Sequence, residues 1–228
     1  MLLSGLKILL NDMSSFRQYR KIEYGEKFVV AADTSSGLGD YCAVQFLSKT
    51  KIDVPLVYHN KVIATEMTNS LYPVLEKIYD ITGVKPIVAY ERNAGGTFEM
   101  DRLASMNRLG KYNVFTMPNV GVTTPGVPKR LGWDTNSATR PAMLSELKDA
   151  IDNKLLRIYD KPTVEELYSF VVVRTTATVK AQAEAGMHDD LVMSLAIAWQ
   201  LYQTAQFQKE IEIIDIPDDT QMFKGGFY

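Results

Sequence analysis

The sequence predicts an α/β domain: a mixed β-sheet flanked by helices, with an inserted excursion of loop or β-hairpin. Three observations carry this expectation. Apolar runs of strand length, Phe28-Val29-Val30-Ala31-Ala32-Asp33 and Ile87-Val88-Ala89-Tyr90-Glu91, are interspersed with segments of helical periodicity. The first run is followed by a Gly/Ser turn and another strand pattern, which starts the sheet antiparallel. Both runs end in a carboxylate, an odd terminus for a strand buried along its length.

The elements follow in order. Residues 28–33 read as a buried strand, and Ser35-Ser36-Gly37-Leu38-Gly39-Asp40 as a hairpin-type turn. Residues 41–47 and 55–64 read as the next two strands, with His59 and Asn60 near a turn or exposed edge. Thr65 or Thr68 can cap a helix to residue 82, with Leu71, Val74, Leu75 and Ile78 on one face and Gly83 as its stop. Pro86 precedes the strand ending in Glu91. Gly95-Gly96 leads into a helix over 97–109, stopped by Gly110, and 113–117 is a short strand. Residues 118–133 hold Pro118, Gly121, Pro125, Gly126, Pro128 and Gly132, the composition of an excursion and not of core. Ser137 or Thr139 can cap a helix with Pro141 in its first turn and 143–153 as its body. Residues 155–159 read as a strand, 163–171 as a helix, and 172–183 alternate. A strong apolar helix spans 189–207, with Leu191, Leu195, Ala198, Trp199 and Tyr202 inward, before a polar tail. This divides the chain into an N-terminal linker or helix remnant (1–27), one domain (28–207) and a tail (208–228).

Composition narrows the class. The chain has 228 residues, 46% of them hydrophobic, enough for a sizeable core. No apolar run approaches the ~18 residues of a membrane span, and the short apolar start lacks a basic leader and a small-residue cleavage site. The expectation is therefore a chain neither secreted nor membrane-bound. The single cysteine, Cys42, excludes an intramolecular disulfide and a cysteine-rich zinc site, and reads as a small core residue. A net charge of −2 argues against holding nucleic acid by bulk electrostatics, though not against a local basic groove.

The acidic positions point to chemistry. Asp33, Glu91 and the pair Asp189-Asp190 at a helix start form a set suited to divalent cations. Phosphodiester hydrolysis needs a nucleophilic water, in-line geometry and neutralised developing charge. Two Mg²⁺ or Mn²⁺ ions about 3.5–4 Å apart supply all three. In this reading Asp33 is the central ligand, Glu91 holds one ion, and Asp190 with Asp189 completes the other. Asp40 is an auxiliary ligand, and His188 handles a proton or orients the phosphate. Each position alone has a plainer reading: a turn residue for Asp33, a surface ion pair for Glu91, a helix cap for Asp189-Asp190. In combination and in this order they point to a two-metal nuclease on a sheet like that of ribonuclease H.

The same residues carry a family resemblance. Residues 29–33 with Gly37, Gly39, Asp40 and Tyr41 resemble the nuclease domain of tailed-bacteriophage large terminases. So do Ala89-Tyr90-Glu91-Arg92-Asn93 and Gly186-Met187-His188-Asp189-Asp190-Leu191 onward to Ala196. Leu131-Gly132-Trp133-Asp134-Thr135-Asn136, followed by Thr139-Arg140-Pro141, resembles the segment between that family's second and third acidic motifs. The resemblance implies an RNase H-like fold and a metal-dependent endonuclease that cuts concatemeric double-stranded viral DNA during packaging in the cytoplasm of an infected bacterium. By position the catalytic acids are Asp33, Glu91 and the acidic pair, with Asp190 favoured over Asp189, while Asp40 matches an accessory acid. Implied partners are DNA, an upstream ATPase motor domain, the portal and the small terminase subunit. The chain lacks a G-x-x-x-x-G-K-[ST] phosphate loop, so ATP binding is expected to lie outside it. Lys129, Arg130 and Arg140 flank the Pro/Gly excursion and are candidates for phosphate contact, as are Arg174 and Lys180. No recognition helix is evident, so little sequence specificity is expected. Competing readings are a Holliday-junction resolvase, a sugar-kinase or actin-like ATPase, and a non-catalytic packaging module.

Overall fold

The computed structural model describes residues 15–35, 40–93, 95–117, 130–174, 179–183 and 188–207. Strand β2 (Phe28–Asp33) lies inside the sheet because both its faces are apolar. It pairs antiparallel with β3 (Cys42–Ser48) and parallel with β5 (Ile87–Tyr90), Ala32 opposite Tyr90. β3 in turn pairs antiparallel with β4 (Asp53–Asn60). Outside β4 lie β1 (Phe16–Gln18), antiparallel, and β7 (Arg157–Ile158), parallel; outside β5 lies β6 (Asn113–Val114), parallel. Among the described residues this makes a seven-stranded mixed sheet, as expected. Strands β8 (Phe170–Arg174) and β9 (Val179–Ala183) form a separate antiparallel pair.

Successive side chains of a strand point to opposite faces, so each strand feeds two cores. Phe28, Val30 and Ala32 join Val88, Tyr90 and Phe46 under helices α1 (Ala64–Thr82) and α2 (Gly96–Met106). Val29, Ala31, Ala43 and Ala89 join α3 (Thr139–Asp152) and α5 (Asp190–Thr204) on the other face. From Asp190 to Trp199 every residue of α5 is buried. This is the pattern of a helix wrapped by the fold, and each buried Leu, Ile or Val contributes about 1.5–3 kcal/mol. Helix α4 (Lys161–Ser169) packs beside α5.

Several boundaries differ from the sequence expectation. The sheet begins at Phe16, because Phe16 and Ile22 enter the core and Arg17 reaches Asp160. Helix α1 starts at Ala64 without a side-chain cap, and Thr68 Oγ1 donates back to Ala64 O (3.0 Å). For α3 the capping oxygen comes from Asn136, whose Oδ1 accepts the N–H groups of Ala138 (2.9 Å) and Thr139 (3.0 Å). Helix α4 starts two residues earlier than read. Asp160 Oδ2 accepts the N–H of Thr163 (2.9 Å), a capping arrangement the apolar pattern did not show. Cys42 is buried in the core, and burial pushes its thiol up to about 11. His59 is half-buried under the Tyr41 ring (4.5 Å), with burial holding its pKa down at about 4. Among the described residues no helix is long and apolar enough to cross a membrane.

Candidate functional site

Alternation decides where the strand-terminal acids point. Val29 and Ala31 face the α5 side of the sheet, so two residues on Asp33 does too; Ile87 and Ala89 put Glu91 on the same side. Because β2 and β5 run parallel, their carboxyl ends share one edge, and the N–H of Glu91 donates to Ala32 O (2.8 Å). Ligand sites in such sheets form outside the carboxyl ends of the strands. Helix α5 begins over this edge with Asp190. The three carboxylates are thus gathered from positions far apart in the chain, and all are buried: 8%, 7% and 9% exposed for Asp33, Glu91 and Asp190.

The electrostatics follow from that crowding. Burial pushes the Asp33 carboxyl well above the usual carboxylate range, and Glu91, against which it lies, pushes it further, as do Asp190 and Asp189. Burial also raises Asp190, to about 6; the Tyr41 backbone and His188 oppose the rise, while Asp189 and Asp40 add to it. Asp190 Oδ2 is shut off from solvent without a hydrogen-bond partner. His188 Nδ1 stands 3.7 Å from that oxygen and 3.8 Å from Asp40 Oδ1, with its ring edge-on to Tyr41. The structure thus brings Asp33, Glu91, Asp190, Asp40 and His188 into one neighbourhood.

Asp189 is different. Its side chain does not cap α5; it pairs with Arg140 from the first turn of α3 (2.6 Å). Arg130 is exposed and reaches Asp134 (3.3 Å), which also holds Arg92 (2.7 Å). Lys129 lies outside the described residues. Arg174 and Lys180 belong to the β8–β9 pair, opposite Val179 and Val173.

The segment around Trp133 builds the wall beside Glu91. Trp133 N–H donates to Tyr90 O (2.8 Å) and Arg92 N–H to Trp133 O (2.9 Å), so this stretch extends the sheet as a short parallel bridge to Glu91. Thr116 forms an antiparallel bridge with Leu131, and residues 118–129, where the excursion is expected, lie outside the described residues. Gly132, at φ +87°, sits where a Cβ would come 2.7 Å from Tyr90 O. Asn93 Nδ2 donates to Glu91 Oε1 (3.1 Å), and Thr34 Oγ1 holds Asn93 O (3.0 Å).

Gly96 is the tightest packing point. A Cβ there would stand 1.7 Å from Glu91 O and 3.1 Å from Thr34 Oγ1. Gly96→Ala is expected to force Glu91 aside and to cost about 1–3 kcal/mol of stability. A thermal melt checks this, and an alanine variant that melts with the parent refutes it.

Among the described residues, no three His, Cys, Asp or Glu side chains close on a single point as a ready-made metal cage. Asp33, Glu91 and Asp190 nevertheless fit hard divalent cations: all three are buried carboxylates, crowded together, and Oδ2 of Asp190 is orphaned. Mg²⁺ keeps several waters and uses only one or two carboxylates, so a full protein cage is not required.

Sequence reasoning missed Glu166 in α4, which lies in the field of Asp190 and Asp189. Its one sequence signal is the spacing from Thr163, i to i+3, which puts both on one helix face. An apolar cavity of about 680 Å³ between α3 and α4, lined by Leu144, Leu147, Leu156, Val164 and Leu167, contains none of the gathered acids.

No family model matches the chain. In structure it is similar to the Thermus phage P74-26 large terminase nuclease domain, with TM-score 0.58 at 18% identity over 85% of this chain and 88% of that one. The large terminase nuclease of thermophilic phage G20c with bound magnesium gives 0.56 at 18% identity, over 82% and 87%. The Mn-soaked human cytomegalovirus terminase nuclease domain gives 0.53 at 10% identity, over 90% and 98%. At such identities the fold is what is shared. The chain has the RNase H-like α/β fold of the terminase nuclease domains.

Proposed function

We propose that this chain is a terminase-type nuclease: a metal-dependent endonuclease that cuts concatemeric double-stranded viral DNA during genome packaging, in the cytoplasm of the infected host. The observation that carries this reading is the convergence of Asp33, Glu91 and Asp190 on one sheet edge of a fold shared with terminase nuclease domains. The bound ions would be two Mg²⁺ or Mn²⁺, which polarise the phosphate, lower the pKa of the attacking water and neutralise the leaving oxygen.

Asp33 lies against Glu91 and in the field of Asp190, and would be the residue to hold both ions. Glu91, steadied by Asn93 and by the Trp133 wall, would hold one, and Asp190 the other. Asp40 is an auxiliary acid. His188, between Asp40 and Asp190, is placed to carry a proton at Nδ1. Arg140 is paired with Asp189 while Asp190 Oδ2 has no hydrogen-bond partner, which supports Asp190 as the direct ligand of the pair. Lys129, Arg130, Arg140, Arg174 and Lys180 are proposed to meet phosphates, with little base readout. A net charge of −2 makes weak DNA binding the expectation, with a motor domain, portal and small terminase subunit delivering the DNA.

Cleavage of supercoiled plasmid in Mn²⁺, Mg²⁺ and EDTA tests this. Nicked and linear product in either metal and none in EDTA supports it. Cutting that persists in EDTA, or no cutting in any metal, overturns it. A preference for four-way junctions over linear duplex assigns the site to a resolvase instead.

A further inference from the structure

Helix α5 opens the acid cluster, yet its first turn is not capped by its own residues. Asp189, at the cap position, makes no capping bond and is committed to Arg140. The first backbone N–H groups of a helix have no partner within it and need an outside acceptor. Glu166, from α4, supplies one: its carboxylate faces the N–H groups of Leu191 and Val192. The approach is built in. Asp160 caps α4 through Thr163, and Gln45 Nε2 donates both to Thr163 Oγ1 (3.1 Å) and to Leu191 O (3.3 Å), tying the start of α4 to the start of α5. Glu166 lies on the same helix face as Thr163, one turn further on.

Capping explains half of that carboxylate. The other oxygen, Oε2, is shut off from solvent and has no hydrogen-bond partner, as is Oδ2 of Asp190. Two orphaned acceptors in one acidic neighbourhood cost stability in the metal-free protein. They have a purpose where cations dominate the local charge. Two divalent ions would bring four positive charges, and a buried carboxylate beside Asp190 adds to the negative charge that offsets them.

We propose that Glu166 is a further acid of this centre, a positioning residue that caps α5 from a neighbouring helix, aims Asp190 and adds to the charge that offsets bound cations. The proposal rests on the metal-dependent reading given above and deepens it.

Mn²⁺ titration calorimetry on the whole chain, with melts in EDTA, tests it in the parent, Glu166→Gln and Glu166→Asp. The glutamine keeps the size and the acceptor and loses the charge. Its Mn²⁺ affinity is expected to fall by about 10- to 100-fold, the usual loss for a residue just outside the ligands, while its Tm in EDTA stays level or rises. Glu166→Asp, which keeps the charge, is expected to recover part of the affinity. A parent that binds Mn²⁺ and a glutamine variant that binds it equally overturn the proposal and leave the nuclease reading standing. So does a glutamine variant whose Tm in EDTA falls, or whose lost affinity the aspartate does not recover. A parent that binds no Mn²⁺ overturns both.

Discussion

Asp33→Asn is expected, on the proposed nuclease reading, to reduce metal-dependent cleavage by about 10³-fold while leaving the metal-free fold as stable as before or more so. The activity loss follows from position. Asp33 is the last residue of β2, lies against Glu91 and is buried within the field of Asp190. On the proposed two-ion reading, removing its charge removes the acid best suited to hold both ions. A metal's polarisation of the phosphate is worth several kcal/mol, and each ~1.4 kcal/mol is a decade in rate. The stability effect has the opposite sign because the ionised carboxyl is crowded. Its folded pKa lies well above its unfolded value, so the folded protein holds a proton that the unfolded chain releases. Asp190 behaves likewise, with its folded value near 6. For such groups the stabilising contribution is complete below the ordinary carboxylate range and is lost as pH rises through the folded value. The metal-free parent should therefore melt lower at pH 8 than at pH 5, Asp33→Asn should flatten that slope, and Mn²⁺ should restore the parent at pH 8. Calorimetric melts across this range in EDTA and Mn²⁺ decide the point. A variant that loses activity and also melts well below the parent in EDTA would place Asp33 in the fold's stability and not in its chemistry.

Asp160→Ala is expected to cost about 3 kcal/mol at pH 7, a large share of the 5–15 kcal/mol that holds a typical domain. Asp160 is fully buried and joins three parts of the molecule. It accepts from Arg17 Nε (2.6 Å) and Nη2 (3.0 Å) in β1, from the hydroxyl of Tyr19, and from the N–H and Oγ1 of Thr163 at the start of α4. Burial alone would raise its pKa; the bonds from Arg17, Tyr19 and Thr163 outweigh burial and hold it at about 2. A drop from 3.8 to about 2 corresponds to about 2 kcal/mol by linkage, close to the mutational figure. The figure sits at the low end for a broken buried ion pair because Arg17 is 29% exposed and regains water. With the folded pKa depressed, the stabilisation is present above about pH 4 and is lost as pH falls through 2. Urea denaturation of parent and variant at pH 7 and pH 2.5 checks this: the gap should be large at the first and narrow at the second. A gap below about 1 kcal/mol, or one that ignores pH, counts against it. Loss of this cap should also loosen α4 and with it the placement of Glu166.

What was legible in the sequence was carried by short stretches. Residues 28–33 and 87–91 announce buried strands because six and five apolar-rich residues suffice to show the pattern. Period two then dictates that Asp33 faces as Val29 and Ala31 do, and Glu91 as Ile87 and Ala89 do. The apolar body of α5 was equally clear, since a helix buried all round needs no partner to be recognised. Element ends were less so: the real caps, Asn136 and Asp160, sit just outside the periodic segments that mark the helices.

The sequence by itself thus determined the class of sheet, the two strands that end in acids and the helix that opens with one, because alternation and helical periodicity act between residues a few positions apart. Only the tertiary structure decided that β1 belongs to the sheet, that Asp189 answers to Arg140 while Asp190 turns inward, and that Glu166 stands at the head of α5. Those pairings join residues tens to more than a hundred positions apart: Arg17 and Asp160 are 143 apart, Arg140 and Asp189 are 49 apart. Their partners are set by strand register and by how helices pack on the sheet, which no local pattern encodes.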